Sequence, residues 1–276
     1  MGIEGAGRLE GIAKLGLLDD DAIPLDEAAL MLAALDHPHT DVTRHRRQIA
    51  LWTAQLLARD TGAGAAERAA ALSQVLAIDG GLRGDQQSYD DPANADLIRV
   101  IDRRRGLPVT LSILYAAIAR RVGWLADPLN VPGHVLVRVG RDAESVIIDP
   151  FDGGRVLSRP GIAELLTRVL GRQAKAEAAH FTPLSNRSTL VRLLSNQATR
   201  ARRSGDVARA LELHERMTAI APGFTGLWWE RARLEQLQGR VTDARASLSS
   251  MLETTRDTAL RTRIAAALDA LARSIN

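Results

Sequence analysis

The sequence predicts an α+β chain in two parts: a mostly helical domain holding one small antiparallel sheet, then an all-helical array of short repeats. Three observations predict it. Residues Pro108 to Val122 are apolar almost throughout, as in a helix with no face to water. Two short strand-like runs, His134 to Val139 and Ser145 to Asp149, flank the polar loop GRDAE, as in a β-hairpin. In the last third the pattern is helical only, and small residues return at a 34-residue interval.

In chain order, a Gly-rich start (residues 1–24) specifies little. LDEAALMLAALD, Leu25 to Asp36, reads as a short helix, and two longer helical patterns follow, Thr40 to Asp60 and Gly64 to Asp79. Gly80 to Asn94 is rich in turn residues, with Tyr89-Asp90-Asp91-Pro92 reading as an Asx turn. A short helix, Asp96 to Arg105, leads into the buried one. Pro108 suits a first helical turn, where its missing N–H costs nothing. Arg120 and Arg121 complement the C-terminal dipole, and Gly123 fits the residue past the end.

The hairpin carries a geometric consequence. With Val139 facing Ser145, His134 falls one position out of line with Asp149; a loop one residue shorter sets them directly opposite, close enough to touch. Asp149 is followed by PFDGG, a sharp strand exit. A bridging helix, Pro160 to Ala179, and a linker, His180 to Ser188, end the domain (25–183). In the repeat region (186–276) Gly205-Asp206 recurs as Gly239-Arg240 and Ala210 as Ala244. That period, with Trp228 in a first helix and Pro222 closing the first unit, resembles tetratricopeptide repeats: two units plus a final helix, Ala259 to Ile275.

Composition excludes several function classes. The 276 residues are 46% hydrophobic and 25% charged, a globular balance. The 36 basic and 33 acidic residues nearly cancel, leaving +3, and aromatics are 3%, which argues against a nucleic-acid surface. There is no cysteine, hence no disulfide, thiolate metal site or cysteine nucleophile. The N-terminal residues lack the pattern of a secretory signal, and no stretch reaches the roughly 18 apolar residues of a membrane span. The expectation is a cytoplasmic protein without membrane partner, metal or cofactor. His37, Pro38 and His39 read as a loop, and with His45 they lack metal-ligand spacing.

YDDPANADLIRVIDRRRGLPVTLSILYAAIARRVG, then NVPGHVLVRV, then IDPFDGGRVLS, resemble the SirB-type family, bacterial proteins with a transglutaminase-like, papain-related domain followed by tetratricopeptide repeats. The resemblance is strongest from Tyr89 to Ser158, and it departs from the family at Gly81–Asp85. It implies a cysteine at the start of the buried helix, with His134 as the catalytic histidine and Asp149 as its orienting aspartate. The cysteine stands two residues after a glycine; Gly106 sets that frame, and the residue there is Pro108, which has no nucleophilic atom. A slip of two or four residues would bring Thr110 or Ser112 to His134, although Ser112 also suits a bond to a preceding helical carbonyl. His134 reads equally as a base or as a core histidine anchored by Asp149. Arg103, Arg104 and Arg105 read as a solvated face, or as cations flanking the free N–H groups at the helix start, with Arg105, Gly106 and Pro108 on the cleft edge. The resulting expectation is a non-catalytic module that binds a protein or peptide. The competing one is a peptidase, amidase or acyltransferase using Thr110 or Ser112 with His134 and Asp149.

Overall fold

The computed structural model describes residues 11–59, 61–171 and 181–273. Among these, two compact units separate: residues 19–193, and residues 11–18 together with 194–273. Helix α1 (residues 11–17) belongs to the second unit.

The first unit is assembled around one helix. α2 (Leu25–Ala34), α3 (Thr43–Leu57) and α5 (Leu97–Arg103) precede α6 (Pro108–Arg121), of which every residue from Pro108 to Ala119 is buried. α4 (Ala65–Ser73) runs on into a π-helical stretch, Gln74–Asp79, where the sequence suggested one regular helix. Gly80 ends it against the Trp52 indole and the Leu76 carbonyl, an approach that leaves no room for a Cβ.

The hairpin is part of a four-stranded antiparallel sheet, β3 (Ala126–Val131), β4 (His134–Val139), β5 (Val146–Asp149) and β6 (Arg155–Val156), joined in sequence order. β3 escaped the sequence reading because ADPLNV has no alternation and contains a proline. Pro128 is tolerated because β3 is the outer strand, and the chain at Thr182–Leu184 bonds its free edge. Leu136 joins a cluster with Leu129, Val131, Ile162 and Leu166, so the alternate residues Val135, Val137 and Val139 face α6. β1 (Arg83–Gly84) and β2 (Arg105–Gly106) form a separate parallel pair at the mouth of α6.

Two boundaries differ from expectation. α7 (Arg159–Leu170) stops where Gly171 takes φ 90°, well short of Ala179, and residues 172–180 lie outside those described. The segment read as a linker to Ser188 already turns helical at Asn186, whose side chain accepts from Arg120 and donates to the Asp20 and Ile23 carbonyls.

The second unit is a helical array: α8 (Asn186–Arg203), whose last residues enter it, then α9 (Val207–Ile220), α10 (Thr225–Leu237), α11 (Val241–Thr254) and α12 (Thr258–Arg273). The repeat is explicit in its geometry. Gly205 and Gly239 both adopt positive φ just after a helix, and Ala210 and Ala244 are fully buried. The adjacent tryptophans diverge: Arg231 lies over Trp228 and Arg263 over Trp229.

One buried group in α9 makes the second unit acid-sensitive. His214 is 7% exposed, its Nδ1 has no partner among the described residues, and burial pushes its pKa down to about 4. The unfolded chain, with a histidine near 6.5, therefore takes up a proton that the folded unit resists. Stability contributed by neutral His214 is present above pH 6.5 and is lost as pH falls towards 4, by about 3 kcal/mol. In His214→Leu that proton uptake is gone, so urea unfolding at pH 7 and pH 4 should show a loss on acidification smaller than wild type by about that amount.

Candidate functional site

The site is built at the start of α6. Two bonds fix this start, and both converge on one backbone carbonyl: the Leu107 N–H and the Thr110 hydroxyl each donate to the oxygen of Asn94, at 2.9 Å. Asn94 is itself fully buried, donating from Nδ2 to the Ser88 carbonyl at 2.6 Å. Beside it the buried Asp85 carboxylate accepts from Ser88 N–H, which, with Asn94 and Arg103, holds its pKa below the usual carboxylate range. Asp91 makes the expected Asx turn, accepting from Ala93 N–H.

The three arginines do not form a common face. Arg103 reaches Asp85 at 3.3 Å and Asp91 at 3.1 Å. Arg104 takes a left-handed conformation (φ 59°) to end α5, lies 4.6 Å from the Trp52 ring centre and donates to Gln48. Arg105 continues as β2, in register with Arg83.

His134 and Asp149 meet: Nε2 lies 2.9 Å from Oδ1. They do so by a different register from either expected one. Val139 pairs with Val146 and Val137 with Ile148, so continuing the ladder places Leu136, not His134, across from Asp149. His134 is then a diagonal neighbour on the same sheet face, within reach of a long side chain. The shift arises because Asp142–Glu144 form a 3₁₀ turn, which lengthens the connection. Asp149 Oδ1 also accepts from Phe151 N–H at 2.9 Å, so one oxygen holds both the histidine and the strand exit.

Neither hydroxyl is hydrogen-bonded to His134. Thr110 and Ser112 are both 0% exposed. The Thr110 proton is given to Asn94, and the Ser112 Oγ donates to the Val135 carbonyl at 3.2 Å, a bond from helix to β4 in place of one within its own helix. Pro108 is buried at the first position of α6, and a Cβ on Gly106 would press on the Val100 methyls at 3.0 Å.

Three residues that the sequence reading passed over complete the site. The Phe151 ring meets His134 edge-on at 5.8 Å and Tyr89 at 5.9 Å between ring centres. It lies so close above Gly84 that a Cβ there would fall 2.5 Å from the ring. Beneath, Tyr115 of α6 is fully buried, and its hydroxyl has no partner among the described residues; burial, and then the Asp149 charge, raise its pKa. A glycine in a polar turn and a phenylalanine after Asp-Pro were the available signals, but each is commonplace alone. His37 bonds Asp96 at 2.5 Å and His45 bonds Asp102 at 3.2 Å, and no three metal-ligating side chains converge among the described residues.

A buried helix, a hairpin bearing a bonded His–Asp pair, and a helical repeat array together define a transglutaminase-like protein with a tetratricopeptide-repeat tail. The family models agree: residues 32–195 match the transglutaminase-like superfamily and residues 201–271 a tetratricopeptide repeat. Among relatives, a UPF0162 protein of Xylella fastidiosa strain Temecula1 is 30% identical over 225 residues, 75% of each chain. Another, of Pseudomonas aeruginosa, is 30% identical over 211 residues, 76% of this chain and 77% of its own. The chain belongs to this UPF0162 family of transglutaminase-like proteins, the SirB-type group that its motifs resemble. A shorter likeness, 34% over 82 residues, reaches F-box only protein 21 of mouse and covers 13% of that protein. No solved structure matches.

The packing of Phe151 yields a direct test. Gly84→Ala should destabilise the first unit by about 1–3 kcal/mol, because the ring is held between His134 and Tyr89. Adding Phe151→Leu should return part of that loss in a thermal melt, since a smaller side chain clears the new methyl.

Proposed function

We propose that this protein is a non-catalytic member of its superfamily, in which the transglutaminase-like unit and the repeats bind a protein or peptide. The observation that carries the reading is the commitment of every candidate attacking atom. Pro108 stands where the resemblance places a thiol, and the two hydroxyls nearest it are buried and donate to carbonyls. A serine or threonine nucleophile needs its proton within reach of a base, and here both protons are engaged elsewhere. The tetratricopeptide-repeat tail supports binding, since such arrays present extended surfaces to partners. His134 and Asp149 then serve as a structural tie between two strands that also shapes the cleft. The protein is read as cytoplasmic, with no nucleic-acid, membrane, metal or cofactor partner.

One observation favours a second reading. Asp149 occupies the Nε2 side of His134 and leaves Nδ1 as the ring's available nitrogen, as a base oriented by a carboxylate would require. A peptidase, amidase or acyltransferase using Thr110 or Ser112 would follow if α6 could present either hydroxyl.

Incubating the purified protein with fluorogenic amide and ester probes separates the two. The expected result is no turnover above a buffer blank, for wild type and for His134→Ala alike. Turnover that is lost in His134→Ala and in Ser112→Ala or Thr110→Ala would replace the binding reading with the catalytic one.

A further inference from the structure

We propose that α1 is a removable strap: it fills, in cis, a helix-docking groove of the second unit at the end of α9, and an amphipathic helix of a protein partner takes its place. This rests on the reading that the protein binds a protein or peptide, and it names the surface that does so.

The α1 sequence is GIAKLGL. Its two glycines weaken a helix, and a helix of two turns has almost no stability of its own in water. α1 is therefore helical because of what it packs on. It forms one compact unit with residues 194–273, although the chain enters the first unit at Asp19. Its apolar anchors are Ile12, 1% exposed, and Leu15, 5% exposed, three residues apart and hence on one face. Gly16 follows directly and lies against α9: a Cβ there would strike the Ala219 carbonyl oxygen and reach the Pro222 ring. The groove thus accepts a helix whose paired apolar residues are followed at once by glycine. Any larger residue at that point meets backbone, which cannot give way.

Other observations make the docked helix exchangeable. Ile12 and Leu15 are covered, whereas Leu17 is 86% and Leu18 41% exposed, so α1 seats only part of its apolar surface. A partner helix with a third apolar residue on the buried face would cover more. The chain beyond α1 is pinned independently. Asp20 accepts the Asn186 N–H at 2.7 Å and the Arg187 N–H at 2.9 Å, so α1 can lift while the residues from Asp20 onward stay in place. In α9 itself Arg216, Met217, Thr218 and Ile220 are all buried, as in a helix covered on more than one side. The occupant is therefore a helix, with Ile or Leu residues three apart and a glycine next to the second.

The test uses the full chain and a fluorescein-labelled peptide of residues 9–20, followed by fluorescence anisotropy. In wild type the tethered α1 competes for the groove and the peptide binds weakly. Gly16→Ala cannot seat its own α1, although alanine is the better helix former. It should bind the peptide at least about tenfold more tightly than wild type. The same peptide with alanine for its second glycine should bind that variant at least about tenfold more weakly. Ile12→Asn with Leu15→Asn opens the groove by a second route and should repeat the gain; it decides the matter if a melt shows Gly16→Ala unfolded. In wild type the α1 amides should exchange with deuterium at least about tenfold faster than those of α9. The inference is overturned by no saturable binding to either variant, by equal binding of wild type and variants, or by equal binding of the two peptides. Exchange of α1 as slow as that of α9 would also overturn it. A wild-type dimer that Gly16→Ala abolishes would give the groove to α1 of a second copy and remove the partner. None of these outcomes touches the non-catalytic reading, which stands or falls with turnover of the amide and ester probes.

Discussion

A helix buried from Pro108 to Ala119 must be covered on every side, and that requirement arranges the whole first unit. No face of α6 reaches water, so α2 and α3 close one flank and the sheet closes the other. The polar groups it carries must find partners inside. Thr110 and Ser112 do so with carbonyls of Asn94 and β4, and each leaves its own helix to reach them. Their hydroxyls thereby act as rivets between elements. A buried hydroxyl without such a bond would cost on the order of 1–3 kcal/mol.

The same constraint gives the cleft its character. Leu107 N–H and the Thr110 hydroxyl fix the start of α6 on the Asn94 carbonyl, and the proline at its first position carries no nucleophilic side-chain atom. The His134–Asp149 pair is held by a carboxylate that also caps the strand exit through Phe151 N–H and whose charge acts on the Tyr115 hydroxyl of α6. Phe151 then folds across Gly84 and meets His134 edge-on, joining the second, smaller sheet to the first. The arrangement turns the hydroxyls of Thr110 and Ser112 inward, onto carbonyls of other elements.

Much of this was legible from residue patterns. The apolar run of α6 with Pro108 and Gly123 at its ends and the 34-residue spacing of Gly205/Gly239 and Ala210/Ala244 follow from periodicity and turn chemistry. Other features were not. β3 has a proline and no alternation, and becomes a strand only because β4 offers it a ladder. The 3₁₀ turn at Asp142–Glu144 shifted the hairpin register beyond both expected pairings, although the histidine still reached its aspartate diagonally. Phe151 and Gly84 are far apart in sequence, and nothing local couples them.

By itself, then, the sequence determined the class of fold, the repeat and the absence of a thiol, because these depend on composition and on periods of two, 3.6 and 34 residues. Only the tertiary structure decided where the Thr110 and Ser112 protons go, which ring covers His134, and that Gly84 lies against that ring. Those are long-range matters: each depends on which surfaces meet when α6 is buried, and a hydrogen-bond donor or a charge acquires its meaning only from the group placed opposite it.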